Sequence, residues 1–313
     1  MLDVAIVGAG IAGLTAARSL TDQGQQVALI EKSRGLGGRL ATRRLPGTHA
    51  DHGVCYLKPK GKVFQRLIEE AIAAGVLIPW QPNTYASPLG ITAFAKWLAQ
   101  GLTLHTGERA IALSHNTHWS ITTDSGLEIS AKKLLLAIPA PQAIDLLKTW
   151  PDTSTEVLTQ LQSVTFNPCI TAIATYAPQD PIPWQGLPII NDPNLTWIAL
   201  ESSKQISPSH PVLVFHSTAA FAKQQFEADD LTPVGQMLLA SAAQVTNLPW
   251  LSDPTLLQIH RWRYAFPTAP LNTPYLQAGS NLYLCGDWCL GDRVEAAHRS
   301  GLAVAVAIDQ SSV

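Results

Sequence analysis

Three glycines near the start of the chain, Gly8, Gly10 and Gly13, stand at the spacing G-x-G-x-x-G. Glycine at the first position permits a tight turn. At the second it lets a ligand touch the backbone, and at the third it lets a helix pack closely on a strand. The free N–H groups of that helix then face a pyrophosphate. Glu31 follows roughly 20 residues later, where a carboxylate accepts hydrogen bonds from a ribose hydroxyl and repels a 2′-phosphate. Lys32 opens a second loop, in which Gly35, Gly37 and Gly38 precede Arg39. Glycines so close together suit neither helix nor strand. They suit a backbone lying against a ligand, with Arg39 as a charged clamp on phosphate.

Further along, Gly53 in the segment Asp51-His52-Gly53-Val54-Cys55-Tyr56 suggests close approach to something flat or bulky. His52 is a candidate catalytic group, with a packed or capping histidine as the plainer reading. Near residue 260, alternation puts His260, Trp262 and Tyr264 on one strand face and Leu257, Ile259, Arg261 and Arg263 on the other. The first set could line a pocket for a planar substrate; ordinary sheet packing with snorkelling arginines is the alternative. Gly286-Asp287-Trp288 then breaks a strand, and a helix begins at Arg293, Val294 and Glu295. Its N–H groups make a second anion site, so two helix N-termini from opposite ends of the chain imply a long ligand with two negative regions.

The elements that must position these residues follow from periodicity. Residues 4–7 and 26–30 read as buried parallel strands flanking a helix over 14–20. Helices are predicted over 62–75, 91–100 and 141–149, with a proline-punctuated loop over 76–90. Between 101 and 138 the period changes to two, giving a strand, a β-meander turning at Asp124-Ser125-Gly126 and a buried strand. From about 155 to 265 the pattern is mostly extended: strands over 170–176, 188–190, 196–201, 212–217 and 255–264, with one helix over about 231–246. The chain returns to the first sheet with a strand over 281–285. The fold class expected is α/β, a Rossmann-type nucleotide-binding domain with a second, mainly antiparallel β domain for the substrate. Residues 1–60, 95–150 and 278–313 would form the first, and 61–94 and 151–277 the second.

Composition narrows the function. With 313 residues, 46% hydrophobic and 14% charged, the chain can build a sizeable core. A net charge of −2 offers no footprint for nucleic acid and no polybasic membrane surface; Arg34, Arg39, Arg43 and Arg44 read as local to a phosphate site. No apolar run approaches the ~18 residues a spanning helix needs. The first strand begins so near Met1 that no signal peptide is expected, and a cytoplasmic location is the default. Cys55, Cys169, Cys285 and Cys289 are too scattered for a disulfide scaffold, and no metal site is expected, since Cys285 and Cys289 lack a second pair for zinc.

Taken together, the glycine turn, Glu31, Gly37-Gly38-Arg39 and Cys285-Gly286-Asp287-Trp288 resemble FAD-dependent oxidoreductases of the amine-oxidase class. The further segments 51–56, 260–265 and 293–295 resemble the renalase group within that class. The resemblance implies non-covalent FAD. Gly8, Gly10, Ala12, Gly13 and Arg39 would hold the pyrophosphate, Glu31 and Lys32 the adenosine side, and Ala110 the adenine. Gly38, Gly53, Val54, Cys55 and Tyr56 would run along the cofactor. Gly286, Asp287 and Arg293 would meet the ribityl and phosphate region, and the N–H groups of Val294 and Glu295 the flavin N1/C2 carbonyl. Renalases usually carry Gln where Cys55 stands and an apolar residue where His52 stands. The implied activity is oxidation of a small dihydronicotinamide-type substrate, NAD(P)H-related compounds included, by hydride transfer to flavin N5, with reoxidation by molecular oxygen or another acceptor. His260, Trp262 and Tyr264 would shape the pocket. An amine oxidase or desaturase acting on a larger apolar molecule, and a non-redox flavoprotein isomerase, are the alternatives.

Overall fold

Runs of apolar residues covered on both faces pair as parallel strands. Leu2–Val7 lies between Val27–Glu31 and Glu128–Leu136, in the registers Val4 to Val27 and Val7 to Leu136. Thr103–Thr106 extends one side in parallel and Leu282–Leu284 the other, with Leu276–Gln277 antiparallel at that edge. The computed structural model describes residues 1–279 and 281–311. The β-meander, Ala110–His115 and Trp119–Thr123, pairs antiparallel with the first half of Glu128–Leu136, completing an eight-stranded sheet. That strand therefore serves both the meander and the parallel sheet.

Two helices cover one face. Ile11–Asp22 carries Ile11, Leu14 and Ala17 into the same core as Ile6, Leu29 and Leu135. The C-terminal helix Val294–Gln310 adds Val304 and Ile308. A side chain at Gly13 would run into the Gly8 carbonyl, and one at Gly301 into the Ala12 carbonyl. Glycine at these two places is thus a packing requirement.

The second sheet is antiparallel, in the order Gly186–Pro188, Leu195–Leu200, Val212–Ser217, Phe166–Thr175, Leu256–Pro267. Period two is visible in its burial. Ile170, Ala172, Leu213 and Phe215 pack with Phe221 of Ala219–Gln225 and with Val234 and Leu238 of Thr232–Thr246. Ile173, Val212 and Val214 face the other way, onto Leu45, Ala50, Trp80 and Ala86.

Several local expectations change. The stretch after 155 begins with a helix, Thr155–Ser163, because Val157 and Leu161 recur at helical spacing behind Ser154 at the N-cap. The loop over 76–90 contains a hairpin, Ile78–Gln81 with Thr84–Ala86, turning through Asn83 at φ 58°. A second hairpin, Thr42–Leu45 with Thr48–Asp51, turns through Gly47 at φ 68°. The strand over 188–190 lies earlier, at Gly186–Pro188. Segment 61–94 divides between two cores: Phe64 and Ile68 pack with Ile6 and Leu14, whereas Trp80 and Ala86 pack beneath the second sheet.

The two halves meet through a buried charge cluster. Lys204 Nζ donates to Glu201 Oε1 at 2.5 Å, to the Cys55 carbonyl at 2.6 Å and to Asp51 Oδ2 at 3.3 Å. Glu201 Oε2 accepts the Asp51 N–H at 2.8 Å, and Asp51 Oδ1 accepts from Thr42 Oγ1 and the Ile91 N–H. Burial raises the Glu201 carboxyl to about 7 despite the opposing pull of Lys204. Burial alone would lower Lys204, but Glu201 and Asp51 raise it overall. Removing one member strands the others. Lys204→Met should cost on the order of 3–5 kcal/mol in a urea titration. Lys204→Met combined with Glu201→Gln should recover part of that loss; a loss below ~1 kcal/mol in the single variant would show that the cluster does not hold the halves together.

Candidate active site

A cleft of about 830 Å³ runs along the C-terminal ends of the parallel strands and under the second sheet. Ligands of open α/β sheets gather at such ends. At one extremity it is lined by Glu31, Lys32 and Ala110, joined by Glu108 and Arg109. The Glu31 carboxylate accepts the Ala9 N–H at 2.8 Å and the Ser33 N–H at 2.9 Å, which fixes it at the end of its strand. The middle is lined by Gly8, Gly10, Ala12, Gly38 and Arg39. A side chain at Gly10 would meet no atom within 4 Å, so the backbone there is open to the cleft. Gly8 takes φ 105°, which only glycine adopts readily.

Arg39 is held before any ligand arrives. It grips Asp287 through two hydrogen bonds of 2.7 Å and donates to the Ala265 carbonyl at 2.9 Å. The predicted phosphate clamp and the predicted ribityl contact therefore form one bidentate pair in the cleft wall. Beyond it the lining continues with Val54, Gly286, Arg293 and Val294, at the start of the C-terminal helix.

Five of the residues predicted to hold the cofactor stand behind the lining. Gly13 supports the turn. Gly53 packs against the Arg39 carbonyl and lies close to the Trp262 ring. The Cys55 thiol sits 3.5 Å from the Asp51 carbonyl, and burial pushes its pKa well up. Tyr56 packs on Trp80 and Trp197, with ring centroids 5.9 and 5.3 Å away. The Glu295 carboxylate accepts the N–H groups of Lys60 and Gly61 at 2.8 and 2.7 Å, tying the C-terminal helix to the start of Lys62–Ala73.

The far end carries the aromatic wall. His260, Trp262 and Tyr264 all line the cleft. His260 meets Trp262 edge-on at 4.3 Å, and Tyr264 meets Phe166 at 5.5 Å. Arg261 and Arg263, on the other strand face, also contribute to the lining; Arg261 donates to the Phe226 carbonyl, and Arg263 pairs with Glu227 over the Phe226 ring. His52 lies against both His260 and Trp262, at 4.8 and 5.3 Å, and the Trp262 indole donates to the His52 carbonyl. Burial, then His260 and then Arg43, push the His52 imidazole down to about 3. Burial, then Arg43, lower His260 as well. Both rings are neutral near pH 7.

Ala137, Ile138 and Pro139 also line the cleft and were not anticipated as site residues. The signal was present: they follow the parallel strand Glu128–Leu136, at the end where ligands bind. Arg43, read from the sequence as local to a phosphate site, lies outside the lining, near His52 and His260. Lys204 carried no signal, since only folding brings it to Asp51 and Glu201. All four cysteines are buried, none of them in the lining. Burial pushes Cys289 up to about 12. Among the described residues, no helix is long and apolar enough to cross a membrane.

The open backbone at Gly10, a fixed carboxylate at one end and a helix N-terminus at the other fit an elongated dinucleotide such as FAD. Comparison with known proteins agrees. Residues 6–71 match the NAD(P)-binding Rossmann-like domain, and residues 76–309 match the family described as flavin containing amine oxidoreductase. AofH, a proposed flavin-containing monoamine oxidase of Mycobacterium tuberculosis, is 48% identical over 58 residues, 18% of this chain and 13% of AofH. (S)-6-hydroxynicotine oxidase of Paenarthrobacter nicotinovorans is 43% identical over 63 residues, 19% of this chain and 15% of that enzyme. These matches thus span only a small part of either relative. The structure of a proposed protoporphyrinogen oxidase from Exiguobacterium superposes with a TM-score of 0.76 at 16% identity, covering 99% of both chains, which shows the shared fold. The family match extends over more than half of the sequence: the chain belongs to the flavin-containing amine oxidoreductases.

Proposed function

We propose that this flavoprotein oxidises a small, planar, reduced substrate of the dihydronicotinamide type, as renalase-like enzymes do. The observation that carries the reading is the wall of His260, Trp262 and Tyr264 along the cleft. A flat ring can stack or pack edge-on against such a wall. Bound FAD supplies the two-electron acceptor for a hydride equivalent and passes the electrons to oxygen or another acceptor. The protein's part is to position the substrate and keep water out. Gly8, Gly10, Ala12 and Arg39 would hold the pyrophosphate, Glu31 the ribose, and Gly286, Asp287, Arg293 and Val294 the other half. The N-terminus of Val294–Gln310 opens on the cleft, so its partial positive charge favours negative charge there. Oxidation of this kind needs no protein base, which accords with neutral His52 and His260.

An amine substrate is the second reading, favoured by the family match and by the similarity to AofH. Anaerobic stopped-flow mixing separates the two. Isomeric dihydronicotinamides should bleach the flavin rapidly, and simple amines should not. Bleaching by amines alone would transfer the assignment to amine oxidation, and no bleaching by either class would remove the redox reading of the wall.

Non-covalent FAD is supported by the absence of any cysteine from the cleft lining among the described residues. Acid precipitation should release all the flavin into the supernatant; flavin retained in the pellet would mean a covalent bond. Arg39→Met leaves Asp287 unpaired beside the pyrophosphate region and should weaken FAD retention by about 2 kcal/mol or more, read as FAD lost on gel filtration. Unchanged retention would take Arg39 out of the cofactor site.

A further inference from the structure

Beside the Trp262 wall lies a group of basic side chains with no acid to match them. The Thr42–Leu45 and Thr48–Asp51 hairpin sets Arg43 opposite Ala50, so His52, two residues on, shares the face of Arg43. His52 is 6% exposed, and its Nδ1 has no hydrogen-bond partner. Its ring packs on His260 and Trp262, which both line the cleft. The Arg43 Nε is likewise buried without a partner, and no ion pair involves Arg43 among the described residues.

The nearby carboxylates are already engaged. Asp51 points to the opposite face of the hairpin, where it bonds Thr42, and it shares Lys204 with Glu201. On the remaining side His216 stands 3.8 Å from the Cys55 sulfur. Burial, then Lys204, push His216 down to about 4. Buried polar atoms in native proteins almost always find partners. Two orphaned nitrogens, on a guanidinium and on an imidazole packed against the cleft-lining His260 and Trp262, mark a place where a ligand supplies the missing partner.

We propose that Arg43, His52 and His260 form an oxyanion pocket that receives a carboxylate or phosphate of the substrate and so seats its planar ring against Trp262. This rests on the cleft end beside Trp262 being the substrate site, and does not depend on which compound reduces the flavin. Filling the pocket with an anion stabilises the protonated imidazoles that burial and Arg43 disfavour when it is empty. Binding therefore takes up protons, and anion affinity rises as pH falls toward the ordinary histidine range.

The test uses the FAD-loaded full chain and probes that cannot reduce it. Benzoate, phenyl phosphate and the neutral isostere benzamide are titrated against the flavin absorption spectrum. Benzoate or phenyl phosphate should bind about tenfold more tightly than benzamide near pH 6, and the advantage should shrink near pH 8. The tighter of the two anions identifies the group recognised. Arg43→Met should abolish the advantage, weakening the anions about tenfold more than benzamide, and Arg43→Lys should retain part of it. Equal affinity for anion and amide in the unaltered protein, no spectral change with any probe, or an advantage untouched in Arg43→Met would each overturn the proposal. If Arg43→Met fails to hold FAD, the comparison of anion with amide at the two pH values in the unaltered protein decides. Because no probe donates electrons, failure of the dihydronicotinamide reading leaves this result unaffected.

Discussion

Backbone touches backbone on two sides of the Ile11–Asp22 helix, and much of the cleft depends on that proximity. On one side Gly13 lies against the Gly8 carbonyl; on the other Gly301 lies against the Ala12 carbonyl. A single methyl group at either place would push helix from sheet, or helix from helix, in an interior packed too tightly to absorb the shift. The same closeness sets the helix N-terminus at the end of the central strand and brings the start of the C-terminal helix to the cleft. Charge complementarity for a dinucleotide thus follows from steric constraint: the dipoles are aimed because the glycines leave only one way to pack.

A second constraint is electrostatic. Lys204, Glu201 and Asp51 are buried together, and Lys204 also holds the Cys55 carbonyl. Burying three charges costs more than packing apolar groups of the same size would. What the arrangement secures is position. The segment between Asp51 and Tyr56 is fixed at both ends, and Val54, in its middle, lines the cleft. The Arg39 and Asp287 pair does the same for the adjoining wall, where the Arg39 carbonyl accepts the Val54 N–H, using one residue from early and one from late in the sequence. Ion pairs here define the cleft, and the apolar cores provide the stability that offsets their cost.

The parallel sheet, the glycine turn, Glu31 and the aromatic strand were legible in the sequence because each is a local pattern. Val4 to Val7 forms an unbroken apolar run, and His260, Trp262 and Tyr264 alternate along one strand. The two hairpins were not legible. Gly47 and Asn83 turn them through left-handed backbone, and the flanking residues lack clean alternation. Thr155–Ser163 was hidden by its short apolar stripe. In the site, contacts within a few residues of a glycine motif could be anticipated, whereas the placing of side chains could not. Glu295 and Tyr56 belong to the right segments yet turn their side chains away from the cleft, a choice made by Lys60, Gly61, Trp80 and Trp197 from elsewhere in the chain. Arg43 and Lys204 gain their surroundings entirely from tertiary structure.

The central strand pairs with Glu128–Leu136, which in turn pairs with Leu282–Leu284, and the first helix rests on the last. During synthesis the glycine turn precedes its covering helix by roughly 280 residues. With so many contacts between distant parts of the sequence, folding is slow, and the early strands must wait with apolar surface exposed. A nascent chain without the Val294–Gln310 helix has only part of the cleft lining. Loading belongs to the stage at which both helices are in place, so a product cut before residue 294 would compete poorly for the cell's flavin.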